Sequence, residues 1–313
     1  MKLELCHEIM ACLPQGRTIF RYGKDHYAFY LLRRAAAGGT TVARLRHSGL
    51  GCLLEKPLVR AWLAGLGSGI IRAGDVPEPE WLADGEIYRL SLGTWGEDID
   101  EWKRNQVSRR GASLVLHLNH NKRQHERLQE ISQKTGGDPF TSCGHPEVGG
   151  NHPTLAWARL DVDLDRGEAL IEELQSDRIR YVDWVVKRAL RTQPKDTFYY
   201  YGAELKPEVV FNYWEQEMKR HAAIWDEAIL TAALHFLQHE LGIKKVFYHT
   251  FESGSVLKHI SKKKPPRSIY TSLPKRFCFA ETEEIPRMFA ECPSWQNRPR
   301  RQKREVKFQV LVV

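Results

Sequence analysis

The stretch from Leu155 to Asp177, LAWARLDVDLDRGEALIEELQSD, decides the fold because it predicts a β-hairpin that ends in a dense set of polar residues. In its first half apolar and polar residues alternate, which is the period-2 pattern of a half-buried strand. Residues 165–167, Asp-Arg-Gly, then supply the turn. The stretch therefore predicts two antiparallel strands, and it points to a sheet as the centre of the fold.

Four polar residues within six positions of the second strand are the first candidates for chemistry: Glu172, Glu173, Gln175 and Asp177. Successive side chains of a strand point to opposite faces, so each face carries a carboxylate amid apolar neighbours. Such a group must be paired, hydrogen-bonded or shifted in pKa, and a shifted carboxylate suits acid–base or cation-stabilising chemistry. A one-residue slip in register would exchange Glu172 for Glu173. The alternative is an edge hairpin with solvated acids.

The composition of the 313-residue chain predicts a folded protein of one large domain or two smaller ones. Its 42% hydrophobic content and nine tryptophans exclude a disordered chain, and charged residues interrupt every apolar run before a membrane-spanning length. Glu4 and Glu8 lie in the apolar amino-terminal stretch, which predicts an amphipathic helix rather than a secretory signal. We expect a soluble, cytoplasmic protein without a membrane partner.

Neither the cysteines nor the histidines predict a metal site. The six cysteines are scattered and form no CxxC pair, which fits reduced thiols. His235 and His239 lie four residues apart on a predicted helix, but the glutamate and spacing of an HExxH site are absent, so a structural or surface role is favoured. We expect no metal and no cofactor.

Clusters of positive charge predict a polyanionic partner. The net charge is +8, from 47 lysines and arginines against 39 acidic residues. Two clusters, KKKPPR with Lys262 and Arg267 and QNRPRRQKR with Arg301, are rich in proline or glutamine, as expected of exposed loops that bind phosphates. Any one basic run alone is commonly a solvated face. Together they favour DNA as the partner.

The chain divides into a helical amino-terminal module at residues 1–83 and a mixed region at 84–313, with the proline-rich joint GDVPEPEWLADG between them. The module contains three short predicted helices separated by glycine turns, which fits a small helix-turn-helix-like unit or a plain packing domain. The second region alternates strands and helices. The predicted fold class is α+β, with a mixed, mainly antiparallel sheet and packed helices.

Three further segments of the second region bear on the site. The loop TGGDPFTSCGHPEVGGNHP is long enough to cover a site. The strand KKVFYHTF is followed by a helix starting at residue 252 or 253, whose free backbone N–H groups could face an anion, so His249 and Ser253 are candidate binding residues. The aromatic segments YTSLPKRFCF and VKFQVLVV predict two closing strands.

The segment ALIEELQSD, the later HTFESG and the YTSLPKRF element together resemble segments in proteins of phages, prophages and other mobile elements. In those proteins an acidic strand written IEE[IL]QSD precedes helices, a strand and a Leu-Pro-Lys element. The resemblance covers roughly the last half of the chain and is specific around Ile171 to Asp177. It departs from the pattern at Arg178, where an aromatic is usual. It implies a setting of conflict between phage and host.

In that setting we expect an enzyme similar to the anti-phage DNA glycosylases. Such an enzyme flips a nucleotide out of the stack and stabilises an oxocarbenium-like sugar while the N-glycosidic bond breaks. Glu172 or Glu173 would stabilise the cation or activate water, with Asp177 as the alternative carboxylate. Gln175 would bind a base edge. Tyrosines at 199–201, among them Tyr199 and Tyr200, offer stacking surfaces, although aromatics there are commonly core residues.

Two other classes of function stay open. One is an acyl transferase with an acetyltransferase-like sheet, because the predicted strands and helices roughly follow that order. No glycine-rich turn that would receive a pyrophosphate is present, which weakens this interpretation. The other is a DNA-binding protein without catalysis, which would use the basic loops and the amino-terminal helices.

Overall fold

An eight-stranded mixed sheet organises the chain in the computed structural model, in the order β1-β4-β5-β6-β7-β10-β12-β11. The structure describes residues 1–12, 19–78, 82, 84–96, 106–132, 138–142, 144–148, 151–193, 196–258, 260, 266–289 and 306–312. The strands are β1 Ile19–Tyr22, β2 Thr40–Thr41, β3 Ile70–Ile71, β4 Glu86–Trp95, β5 Ser113–Asn119, β6 Thr154–Asp163, β7 Glu168–Gln175, β8 Phe198–Tyr200, β9 Ala203–Leu205, β10 Lys245–His249, β11 Ala280–Thr282 and β12 Phe308–Val312. Within the sheet β7 and β10 run parallel and the other neighbours are antiparallel, which confirms the predicted α+β class.

Helices pack against this sheet and connect its strands. They are α1 Leu3–Cys12, α2 His26–Ala35, α3 Val42–Arg46, α4 Pro57–Ala64, α5 Lys122–Ser132, α6 Asp177–Thr192, α7 Pro207–Tyr213, α8 Lys219–Ala222, α9 Trp225–His235, α10 Phe251–Leu257, α11 Arg267–Tyr270 and α12 Ser272–Arg276. The long helical region predicted before Gly242 is interrupted, because α8 ends at Ala222 and α9 starts only at Trp225. No helix in the part of the chain that the structure describes is long and apolar enough to cross a membrane.

The predicted hairpin is the centre of the sheet. Strands β6 and β7 are antiparallel neighbours, as the sequence predicts. Both strands are almost wholly buried rather than half-buried, because the sheet is covered on both faces. Helices α6 and α9 pack on the face that carries Ala158 and Leu160. On the opposite face Gln106 accepts a hydrogen bond from Arg159 at 3.2 Å, which closes that side over the strand.

A β-bulge at Glu172 changes the direction in which the second strand presents its acids. Arg159 of β6 lies opposite Glu173, and the next residue, Leu160, lies opposite Ile171, so Glu172 is an inserted residue. Beyond Ile171, β7 no longer pairs with β10. The parallel pairing therefore ends at the position of the clustered polar residues.

The amino-terminal residues contribute to the same sheet and core. Strand β1 pairs with β4 along its whole length, and α2 packs against α9. The fully buried Tyr22 lies with its hydroxyl 3.4 Å from a carboxylate oxygen of Glu227 on α9. The boundary near residue 84 and the helix-turn-helix-like unit stay predictions about this segment.

The segment YTSLPKRFCF, predicted to be a strand, is mostly helical. Its residues form the end of α11 and the whole of α12. Leu273 and Phe277, four residues apart, are both fully buried, and the Phe277 ring stacks on Tyr27 with centroids 4.3 Å apart. The strand prediction is wrong because the aromatic content masked a helical spacing of buried residues. The final segment forms β12 as predicted.

Candidate active site

Glu172 lies in a fully buried hydrogen-bond network between β7 and β10. Its carboxylate accepts hydrogen bonds from the Ser108 backbone N–H at 3.1 Å and from the Ser108 hydroxyl at 2.9 Å. The His249 Nε2 atom lies 3.4 Å from the same carboxylate and 2.8 Å from the Ser108 hydroxyl. Burial raises the pKa of Glu172, but the hydrogen bond with His249 and the charge of Lys258 outweigh it and lower the pKa overall.

Glu173 is held by two cations. It forms a hydrogen-bonded ion pair with Arg159, and the Lys258 Nζ atom lies 3.5 Å away. Burial opposes ionisation, but Lys258 and Arg159 outweigh it and lower the pKa of Glu173 to about 2. Lys258 itself has no exposed surface, and its ammonium donates to the Glu172 carbonyl at 2.9 Å and to the Tyr270 hydroxyl at 3.1 Å.

Both glutamates therefore project into one enclosed network. The sequence pattern places them on opposite faces of the strand, and that expectation is wrong because the bulge puts both on the face away from α9. Glu172 is 1% exposed and Glu173 is 8% exposed. Their charges are balanced by neighbours that are themselves buried, so the arrangement ties β7, β10 and α10 together.

The strand-to-helix junction after β10 is capped by its own side chains. The Thr250 side chain accepts from the Ser253 backbone N–H at 3.0 Å, and the Ser253 hydroxyl accepts from the Thr250 N–H at 2.9 Å. Ser253 also lies 3.1 Å from His249 Nδ1. The predicted anion-binding residues His249 and Ser253 are fully buried and belong to the Glu172 network.

Asp177 stands at the carboxyl end of β7, in the first turn of α6, with a different set of partners. Its carboxylate lies 2.8 Å from His145 Nδ1 and 3.4 Å from the indole nitrogen of Trp157. The Gln175 amide donates to it at 2.6 Å, and the Arg180 guanidinium also donates to it. Burial raises the pKa of Asp177, but the hydrogen bond and charge of His145 and the charge of Arg180 lower it overall.

Glu147 forms a carboxyl pair with Asp177. Burial, and then the charge of Asp177, raise the pKa of Glu147 to about 8. The backbone N–H of Ser142 donates to the Glu147 carboxyl at 3.2 Å. Glu147 therefore carries a proton near neutral pH while Asp177 is ionised. Two neighbouring carboxyls with separated pKa values are the arrangement that supplies an acid and a base to one reaction.

His145 connects this carboxyl pair to the surface. Its side chain is 30% exposed, and its ring lies against Trp157 with centroids 5.7 Å apart. Asp177 engages Nδ1, so Nε2 is the ring nitrogen available for proton transfer. A carboxylate that orients a histidine through Nδ1 is the pairing that makes imidazole an effective general base.

The site depends on a long connection folding over the end of β7. His145 and Glu147 both lie in the predicted covering loop, of which residues 138–142, 144–148 and 151–153 are described. Arg178, 1% exposed, anchors its start through a 2.6 Å bond to Asp138 and a 3.3 Å bond to the Thr154 carbonyl. The sequence predicted the loop but not the roles of His145 and Glu147. The length of the loop was the signal that could have led to them.

The remaining predicted binding residues are dispersed. Lys262 and Arg301 lie outside the described residues. Arg267 is exposed, 3.5 Å from Glu252, and lies over the Phe251 ring, so it does not join the Asp177 group. Tyr199 is 66% exposed on the β8–β9 hairpin, whereas Tyr200 beside it is 5% exposed.

The two helical histidines stack on each other. The rings of His235 and His239 lie with centroids 4.4 Å apart, next to Tyr30. Among the residues that the structure describes, no group of three or more histidine, cysteine, aspartate or glutamate side chains could hold a metal ion.

Comparison of the chain with protein-family models, with curated proteins and with solved structures found no match. The resemblance to proteins of mobile elements therefore stays a prediction that rests on Ile171 to Asp177.

Proposed function

We propose that this protein is a DNA N-glycosylase whose acid–base group is His145, Asp177 and Glu147. The observation that carries the proposal is the pairing of an oriented, partly exposed histidine with two carboxyls whose pKa values are driven apart. The half-buried Gln175 donates to the same carboxylate, and we assign it the binding of a base edge.

The proposed reaction is hydrolysis of the bond between the sugar C1′ and a base nitrogen. His145 Nε2 takes a proton from water, whose oxygen attacks C1′. The N-glycosidic bond breaks, its electron pair stays on the base nitrogen, and Glu147 supplies the proton to that nitrogen. The ionised Asp177 stabilises the imidazolium that His145 becomes. The proton on His145 then returns to Glu147 through solvent, which restores the starting state.

The two buried glutamates receive a structural role in this proposal. Glu173 is already neutralised by Arg159 and Lys258, and Glu172 is bonded to Ser108 and His249. A carboxylate with its lone pairs committed to fixed partners has little capacity to stabilise a new cation. The Asp177 group, by contrast, includes His145, whose side chain is partly exposed.

Charge supports DNA as the substrate. The chain carries a net charge of +8, and arginines lie next to the proposed site, with Arg180 bonded directly to Asp177. We place the reaction in the cytoplasm, the location expected for a chain with scattered thiols.

The test is base release from DNA. Purified protein is incubated with unmodified DNA and with phage DNAs that carry different base modifications, and free base and abasic sites are measured. Release should disappear in His145→Asn and Asp177→Asn, while DNA binding is retained. His47→Asn, at an exposed histidine of the amino-terminal segment, is the matched control and should retain release. Binding without release from any of these DNAs would refute catalysis and favour the non-catalytic alternative.

Acyl transfer is the second candidate, and the strand arrangement favours it. The parallel strands β7 and β10 pair only as far as Ile171, and β12 lies between β10 and β11. An acyl donor would lie at the carboxyl ends of these parallel strands. The Lys258 ammonium, however, already bonds the Glu172 carbonyl there. Strand β7 also joins α6 through Ser176 alone, which leaves no glycine-rich turn for a pyrophosphate.

Calorimetric titration with acetyl-coenzyme A separates the two candidates. Saturable binding, together with transfer of the acetyl group to an amine, would favour the acyl transferase. Absence of binding, with base release in the assay above, would favour the glycosylase.

A further inference from the structure

A group of aromatic side chains lies on the surface next to the proposed site. Tyr181 and Trp184 come from α6, and Tyr200 and Tyr201 come from the β8–β9 hairpin; we call these four the aromatic platform. Tyr200 is the buried base of the platform, with ring centroids 5.4 Å from Trp184 and 4.8 Å from Tyr201. Trp184 is 44% exposed and Tyr201 is 83% exposed. The four packed aromatic rings therefore lie at the surface, where the core meets solvent.

Tyr201 occupies a backbone position that disfavours its side chain. Tyr200 pairs with Ala203 across the hairpin, so Tyr201 and Gly202 form a two-residue turn. Their φ angles are 47° and 80°, both left-handed, as in the type I′ turn that selects asparagine and glycine. A large aromatic here gains little burial and accepts an unfavourable conformation. Backbone preference does not account for a tyrosine at the tip, and its ring packs on Tyr200 while most of its surface stays exposed, which favours a binding role.

Cations lie against the rings of the platform. The Arg180 guanidinium lies 4.9 Å from the centre of the Tyr181 ring, and that of Arg188 lies 5.5 Å from the centre of the Trp184 ring. Arg191 continues the positive charge along the exposed side of α6, whereas the Lys187 ammonium lies 2.6 Å from the Asp183 carboxylate. The surface therefore combines flat apolar faces with positive charge, which is the combination that binds the bases and phosphates of an unpaired strand.

We infer that the aromatic platform binds single-stranded DNA, stacking unpaired bases on Trp184 and Tyr201 while arginines of α6 contact phosphates. Base faces are available for stacking only when they are not paired and stacked in a duplex, so an unpaired strand fits this surface better than a duplex does. Arg180 bonds to Asp177 and also lies on the platform, which connects the bound strand to the acid–base group. The inference deepens the proposed function and rests on it for the choice of DNA.

The experiment measures fluorescence anisotropy of a short labelled oligothymidylate and of a labelled duplex, with full-length protein. Tyr201→Asn is the most informative variant, because asparagine suits the turn and the fold is preserved. We expect it, and Trp184→Ala, to weaken single-strand binding by between about 5-fold and about 100-fold each, with a smaller effect on the duplex. Ile19→Asn, which removes a side chain that is also 83% exposed but lies on β1, is the matched control and should bind as the wild type does.

Unchanged binding of the single strand by both platform variants would overturn the inference. The inference would also be overturned if these variants lost affinity for labelled polyglutamate, which offers charge without bases, by the same factor as for the single strand. The same proteins are run in the base-release assay. Base release from wild type with no effect of the platform variants on binding refutes the platform alone. Platform-dependent binding without base release from any DNA upholds the platform and refutes the glycosylase.

Discussion

Replacing Glu147 with glutamine tests whether this carboxyl holds a proton beside Asp177 at neutral pH. A protonated carboxyl and an amide have nearly the same shape, and either can donate to Asp177 while accepting from the Ser142 N–H. Glutamine cannot ionise. The variant therefore keeps the contacts of the site and loses one source of pH dependence.

The size of the effect follows from the pKa of Glu147, which burial and the charge of Asp177 raise from 4.5 to about 8. The folded protein binds this proton more tightly than the unfolded chain, so the stability that Glu147 contributes is complete below pH 4.5 and is lost as the pH rises to about 8. At 1.36 kcal/mol for each pKa unit the ceiling is about 5 kcal/mol. Sharing of the proton with Asp177 and the partial exposure of Glu147 reduce the expected loss to about 2 kcal/mol.

The assay is urea unfolding of wild type and Glu147→Gln at several values between pH 5 and about 8. The wild type should lose about 2 kcal/mol more than the variant across this range. Asp177 does not interfere, because its lowered pKa confines its own effect to more acidic solutions. Glu8→Gln, at an exposed acid of α1, is the control and should follow the wild type. Parallel curves for wild type and Glu147→Gln would refute the proton-holding role.

Three further outcomes are expected. Lys258→Met should lower the free energy of unfolding by about 3–5 kcal/mol, because it leaves buried carboxylates without their cation. The control Lys187→Met, on the surface, should lower it by less than about 1 kcal/mol. Similar losses in the two variants would contradict this role of the buried Lys258. Tyr201→Asn should raise that free energy by about 1 kcal/mol by relieving the left-handed tyrosine, and a lower midpoint in urea would argue against strain at the turn. Mild oxidation should join Cys52 to Cys278, whose Sγ atoms lie 3.7 Å apart, so a thiol count that stays the same would exclude the link.

Local pattern was sufficient to predict the central hairpin and the α+β class. Alternating apolar residues and the Asp-Arg-Gly turn depend only on near neighbours in the chain, and these identified β6 and β7. The degree of burial was not predictable in the same way, because it depends on what packs on each face. Segment 270–279 shows the opposite case, since its aromatic residues favoured a strand although Leu273 and Phe277 repeat at a helical spacing.

The candidate site was predictable only where its residues are close in sequence. Gln175 and Asp177 stood out because polar residues crowd the end of an apolar strand. His145 and Glu147 approach them through a loop, and no local pattern reports a contact made across about thirty residues. The relation between Glu172 and Glu173 was hidden for another reason, because a bulge leaves no mark in an alternating sequence.

The bulge at Glu172 has a genetic consequence. Deleting this single codon would remove the extra residue and restore continuous pairing between β6 and β7, while Glu173 and Leu174 would keep Arg159 and Ala158 as their partners. No amino-acid substitution at the position imitates that change, because a substituted residue still occupies the extra place. A set of in-frame deletions across residues 168–175 should therefore separate two kinds of constraint on the strand, the identity of its side chains and their number.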